Sequence, residues 1–145
     1  MKIIIGSDHG GFELKKHIIE YLTKNNHTVV DAGCYDEKSI DYPDIAFPLC
    51  EAVAEGKFER GILICGTGIG MSICANKVKG IRCALCSEPV SAPLTRHHND
   101  SNVLAMGARI IGPVMAEEIV KTFLETGFDG ERHEKRVEKI MSYEK

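Results

Sequence analysis

No run of uncharged apolar residues in this chain is long enough to cross a bilayer as a helix. The most apolar N-terminal stretch, Ile3-Ile4-Ile5, is too short for the core of a signal peptide. Together these absences point away from the membrane and toward the cytoplasm. There is also no Lys/Arg-rich run ahead of the mixed-charge C-terminal segment. With 18 basic and 21 acidic residues the formal net charge is −3, so neither nucleic acid nor an anionic membrane is an implied partner. No linker, low-complexity tract or internal repeat divides the 145 residues. A chain this long can bury about 70% of its unfolded surface in one core, and a single domain over 1–145 is expected. Six cysteines without a signal peptide are expected to be reduced thiols and not a disulfide framework.

Three motifs are missing where they would matter most. Residues 65–72 read Cys-Gly-Thr-Gly-Ile-Gly-Met-Ser, directly after the apolar run Gly61-Ile62-Leu63-Ile64. A dinucleotide fingerprint needs Gly-x-Gly-x-x-Gly, but Met71 occupies the third glycine site. A phosphate-binding P-loop needs Gly-Lys-Ser/Thr, and no such triplet exists. A cysteine phosphatase loop would carry an arginine where Met71 stands. The pair Cys83 and Cys86 lacks a second pair at zinc spacing, and residues three apart on a strand point to opposite faces. What the octet does have is a cysteine at a strand end, followed by a glycine turn whose free N–H groups favour negative charge. A buried structural thiol is the common fate of cysteine and fits Cys34, Cys50, Cys74, Cys83 and Cys86. The glycines that follow Cys65 set it apart, because a packing cysteine would not require them.

Apolar runs and periodic segments alternate along the chain. Strands are predicted over 2–6, 28–31, 60–65, 81–86 and 103–111, the last interrupted near Gly107. Helices are predicted over 11–25, 43–56, 69–78, 88–97 and 113–126, with a charged segment over 131–143. Leu14, Ile18, Ile19 and Leu22 form the apolar stripe of the first helix, with charge on its other side. Asp41-Tyr42-Pro43 and Gly112-Pro113 place a proline at a helix start. This alternation predicts right-handed βαβ units in an α/β, Rossmann-like (flavodoxin-like) three-layer αβα sandwich. A five-stranded parallel sheet of order 2-1-3-4-5, plus a C-terminal helix, is expected. In such a sheet the ligand crevice opens beyond the carboxyl ends of strands one and three. Those ends are Gly6-Ser7-Asp8-His9-Gly10-Gly11 and Cys65-Gly66-Thr67-Gly68.

Other candidates are Asp8 with His9, the cluster Arg96-His97-His98-Asn99-Asp100, and the pair Arg132 and Arg136. Asp8 is either a helix cap or a ligand for substrate hydroxyls, with His9 as a proton carrier. One of the adjacent histidines suits acid–base work, since neighbours on a helix diverge too far to share a metal. Arg132 and Arg136 lie four apart, so they share one helix face, as a salt-bridged surface or as an anion clamp.

Taken together, these segments resemble the type B ribose-5-phosphate isomerase family, within the wider group that includes galactose-6-phosphate and allose-6-phosphate isomerases. The resemblance runs through Gly6–Gly11, Asp41-Tyr42-Pro43-Asp44, Ile64–Ser72, Ala75-Asn76-Lys77, Gly80-Ile81-Arg82, His98-Asn99-Asp100, Asn102–Ala105 and Gly107-Ala108-Arg109. It implies an aldose–ketose isomerase with Cys65 as base, Thr67 as its hydroxyl partner and His98 opening the sugar ring. It further implies oxyanion amides from Gly66, Gly68, Ile69 and Gly70, and sugar contacts from Asp8, His9 and Asn99. Arg109, Arg132 and Arg136 are implied phosphate ligands. The resemblance also implies a homodimer with sites completed by the neighbouring subunit, using no metal or other cofactor. Pairing of dimers into tetramers stays open, as does a six-carbon substrate. A binding module without catalysis is the alternative from another class, though a binder needs no thiol.

Overall fold

β1 (Lys2–Ser7) reads Lys-Ile-Ile-Ile-Gly-Ser, and every residue after Lys2 is buried. That pattern belongs to a strand covered on both faces, which a parallel sheet with helices on each side supplies. The computed structural model describes residues 1–144; the last residue of the expected 1–145 domain lies outside the described residues. Four further strands run parallel to β1: β2 (Thr28–Asp31), β3 (Arg60–Cys65), β4 (Cys83–Leu85) and β5 (Val103–Gly107). The helices are α1 (Phe12–Lys24), α2 (Tyr42–Ala54), α3 (Ile69–Ala75), α4 (Ser91–Asn99), α5 (Pro113–Glu125) and α6 (Arg132–Met141).

Strand side chains alternate between the two layers. Ile3, Ile5, Ile62, Ile64, Leu104 and Met106 pack against α1, α4 and α5. Ile4, Leu63, Cys65, Val103 and Ala105 pack against α2 and α3. The three-layer sandwich and its C-terminal helix are those expected from the sequence.

The strand order is a correction. It is β2-β1-β3-β5-β4, not 2-1-3-4-5. β5 (Val-Leu-Ala-Met-Gly) is buried throughout, whereas β4 has three residues and leaves Leu85 exposed. The strand that is apolar on both faces takes the interior, and the short one blunts the edge. The exchange has a consequence for the site. The β4-to-β5 connection now travels back across the sheet, so a right-handed crossover carries α4 to the α1/α5 layer. Ala92 of α4 accordingly joins that core.

β5 ends at Gly107 and not at 111, because the Cys65 turn lies against it. A Cβ on Gly107 would sit 2.6 Å from the Thr67 backbone. Beyond that point Ala108 N–H donates to the Cys65 carbonyl (2.8 Å) and Arg109 N–H to that of Gly66 (2.9 Å). The pairing of β5 thus continues into the turn and holds it. α3 is also shorter than expected, ending at Ala75.

Candidate active site

The carboxyl ends of β1 and β3 stand side by side in the sheet, with Ser7 paired to Ile64. Asp8 and Cys65 therefore leave adjacent strands at one level. Asp8 is buried; its N–H donates to the Ile64 carbonyl (3.2 Å) and its Oδ1 accepts from Gly11 N–H (3.2 Å). The capping role read from the sequence is real, and it also anchors the carboxylate beside the Cys65 turn. Gly10 closes the approach, its Cβ position being 3.4 Å from the Gly66 nitrogen. His9 Nδ1 accepts from Ile40 N–H (3.3 Å). The backbone can only donate, so a neutral His9 ring carries its proton on Nε2.

Cys65 is buried at the end of β3. Its Sγ accepts from Gly68 N–H at 3.1 Å. Gly68 reaches that position with φ +78, and a Cβ there would lie 2.5 Å from Leu85 Cδ1 and 2.8 Å from the Met106 carbonyl carbon. No side chain fits, so the donor to sulfur requires glycine. Among the described residues none accepts from Gly66 or Thr67 N–H, and the first N–H groups of α3 have no intrahelical partner. Gly66 and Thr67 thus offer uncommitted backbone donors in the turn that holds the sulfur. Thr67 Oγ1 accepts from Ile69 N–H (3.2 Å), which leaves its hydroxyl hydrogen free to donate. The Arg109 side chain lies over the turn, with Cδ and Nη1 each 3.4 Å from a Cβ position on Gly66. A cation and the free donors face one small volume.

The other thiols are different. Burial pushes Cys50 up to about 12, with Cys74 and Glu51 adding to it. Burial likewise pushes Cys86 up to about 11 and raises Cys83 and Cys74. All six cysteines are free thiols. Cys83 packs in the α2/α3 layer and Cys86 in the other, opposite faces as their spacing requires.

The remaining candidates form a second cluster. α4 runs against the strands, so its last turn lies at their amino ends, where Gly61 N–H donates to the Asn102 carbonyl (3.0 Å). That is one strand length, about 13 Å at 3.3 Å per residue, from the level of Cys65. There His98 stacks on His133 with ring centroids 4.6 Å apart and planes inclined by 17°. His97 is engaged elsewhere, Nδ1 to Asp129 Oδ1 at 2.6 Å. Arg82 and Arg96 both hold Asp100, which ends α4 in a left-handed conformation (φ 48). Asn99, Arg132 and Arg136 are exposed. Within one chain, then, Cys65, Thr67, Asp8, His9, Gly66, Gly68, Ile69, Gly70 and Arg109 come together. His98, Asn99, Arg132 and Arg136 gather at the other end.

The whole chain has counterparts among known proteins. The Ribose/Galactose Isomerase family model matches residues 3–140. The chain belongs to that family. It is 48% identical over 143 residues to ribose-5-phosphate isomerase B of Escherichia coli, covering 99% of this chain and 96% of that one. Its structure matches ribose-5-phosphate isomerase B of Clostridium thermocellum with a TM-score of 0.96 at 50% identity, covering 98% and 96% of the two chains. It also matches ribose-5-phosphate isomerase B of Mycoplasma genitalium, solved with bound ribulose 5-phosphate, with a TM-score of 0.95 at 43% identity over 99% and 95%.

Two features of the candidate site escape sequence reading. The Tyr42 ring lies over the turn, its Cζ 2.7 Å from a Cβ position on Gly70. Asp41-Tyr42-Pro43 reads as a helix start, and nothing in its spacing indicates where the ring points. The Ile40 N–H that fixes the His9 ring is a backbone group and has no signature in side chains.

Proposed function

We propose that this isomerase interconverts D-ribose 5-phosphate and D-ribulose 5-phosphate through an enediolate, with Cys65 as base. The observation that carries the reading is the Cys65 turn. One short segment sets Sγ beside Gly68 N–H and beside uncommitted donors at Gly66 and Thr67. Aldose–ketose isomerisation needs that pairing. The base takes the weakly acidic C2 proton and charge moves onto the C1 oxygen; the O2 hydroxyl proton then passes to O1, and the first proton returns at C1 as the C2 carbonyl forms. A thiolate in a buried crevice can take a proton from carbon held within contact distance. Amides aimed at the oxygen where charge develops contribute about 3–4 kcal/mol per well-placed donor. Thr67, with its oxygen already satisfied, is poised to donate its hydroxyl hydrogen. Asp8 and His9 hold sugar oxygens, and Arg109 takes the phosphate or a neighbouring anionic group.

The second cluster completes the site from a neighbouring subunit. His98 opens the ring, Asn99 holds a sugar oxygen, and Arg132 with Arg136 clamps phosphate. Exposed apolar side chains on α3, β4, α4 and α6 (Ile69, Ile73, Leu85, Leu94 and Ile140) suit burial in an isologous homodimer. Free thiols held protonated by burial suit the reducing cytoplasm. Turnover of ribose 5-phosphate, allose 6-phosphate and galactose 6-phosphate, measured side by side, tests the substrate. Ribose 5-phosphate is expected to give the highest kcat/KM by at least about tenfold, an extra carbon unit costing one to two orders of magnitude in a fitted pocket. Preference for a six-carbon sugar phosphate would reject the assignment.

A further inference from the structure

Among the described residues Lys15 is the largest fully buried side chain, and nothing in the proposed chemistry uses it. It sits on the buried face of α1 among Leu14, Ile18 and Leu22, where an aliphatic residue would cost no desolvation. Its Nζ donates to Asp31 Oδ1 (2.7 Å) and to the Cys34 carbonyl. The Phe12 and Tyr35 rings lie with centroids 5.5 Å from the same nitrogen. Asp31 Oδ1 also accepts from Gly33 N–H (2.9 Å), and the Asp31 carbonyl accepts from Tyr35 Oη (3.2 Å). The polar and aromatic partners of Lys15 outside α1 thus lie at the end of β2 and at the start of the segment joining it to α2.

That segment reaches the crevice at two points. Cys34 N–H donates to the Ser7 carbonyl and Ser7 N–H to that of Gly33, both at 2.7 Å, one residue before Asp8. Farther along, Ile40 N–H donates to His9 Nδ1 (3.3 Å). A path of directed bonds therefore runs from Lys15 through residues 31–34 to the end of β1, and the same segment returns to fix the His9 ring. A hydrophobic residue at position 15 could fill the volume but could not select one carbonyl and one carboxylate.

We propose that Lys15 is a positioning residue: by pinning segment 31–40 it keeps Ile40 N–H on His9 Nδ1, and so holds His9 as the tautomer that presents Nε2–H to the crevice. The value of that tautomer for catalysis rests on His9 facing the sugar, as proposed above; the positioning does not.

The test compares wild type with Lys15→Met and Asp31→Asn by imidazole 15N NMR, with the His9 signals assigned from their loss in His9→Gln. At a pH where the imidazole is neutral, the wild-type His9 ring should carry its proton on Nε2. Both variants should show a mixture of tautomers, and Ile40 amide exchange should accelerate about tenfold or more relative to Leu63 in β3. With ribose 5-phosphate, kcat/KM should fall by about ten- to a hundred-fold, the cost of misplacing a contact group. A lower melting temperature with His9 and Ile40 unchanged would make Lys15 a packing residue and overturn the proposal. If Lys15→Met gives no folded protein, Asp31→Asn decides by the same readouts. An altered tautomer with unaltered kcat/KM would uphold the positioning and remove His9 from the substrate contacts.

Discussion

Six thiols of one chemical type sit in environments that differ sharply. Cys50 and Cys86 are pushed up to about 12 and about 11 by burial, so near neutrality they stay protonated and inert. Cys65 is also buried, though less completely, and it faces an N–H donor and a turn with uncommitted amides. Brief alkylation of the native protein at pH 8, read by mass spectrometry, should leave Cys50 and Cys86 unmodified. Ribose 5-phosphate should slow labelling of Cys65. Modification of Cys50 before Cys65 would contradict the assignment of burial and donors. The distinctiveness of Cys65 is legible in the sequence because glycine is a local requirement: the N–H at Gly68 needs a positive φ with no room for Cβ. The role of Tyr42 is not legible, since its ring reaches Gly70 only through tertiary packing.

Elements place the site as much as residues do, and α6 shows how weakly some of them are tied down. Its one buried side chain is His133, stacked on His98. Burial lowers the His133 pKa below its ordinary 6.5, with Arg132, His98 and Arg136 pushing the same way and Asp129 opposing. The undocked helix binds a proton more readily than the docked one. Docking is therefore at full strength above about pH 6.5 and weakens as pH falls through that value toward the lower folded pKa. Amide protection factors in α6, normalised against β3, should fall between pH 7.5 and pH 5.5. Constant or rising protection would contradict the account. Element existence was well marked by periodicity, and β2 and β3 have their expected limits. Strand order was not, because local pattern does not say which strand is interior. The signal lay in comparing Cys83-Ala84-Leu85 with the longer, wholly apolar Val103–Met106. The exchange of β4 and β5 matters, since it carries α4 and His98 to the α1/α5 side.

At the scale of the whole molecule the expected site residues divide into two clusters a strand length apart, and one chain cannot close them on one small sugar. The sequence brought both groups to notice through their chemistry, but distance is a property of topology and no motif records it. A two-subunit site makes a numerical prediction. Cys65→Ala and His98→Asn should each be inactive alone. In their statistical mixture about half the dimers are heterodimers with one intact site of two, giving about one quarter of wild-type activity. Recovery no greater than the sum of the two residual activities would place both residues in one subunit's site. The claim on which everything else depends is that Cys65 takes a proton from carbon, and its most direct test is exchange of the C2 proton of ribose 5-phosphate in D2O, followed by proton NMR. Wild type should exchange it. Cys65→Ala should exchange it about 10³–10⁴-fold more slowly while binding the sugar phosphate with nearly unchanged affinity. Exchange at the wild-type rate in that variant would contradict the account.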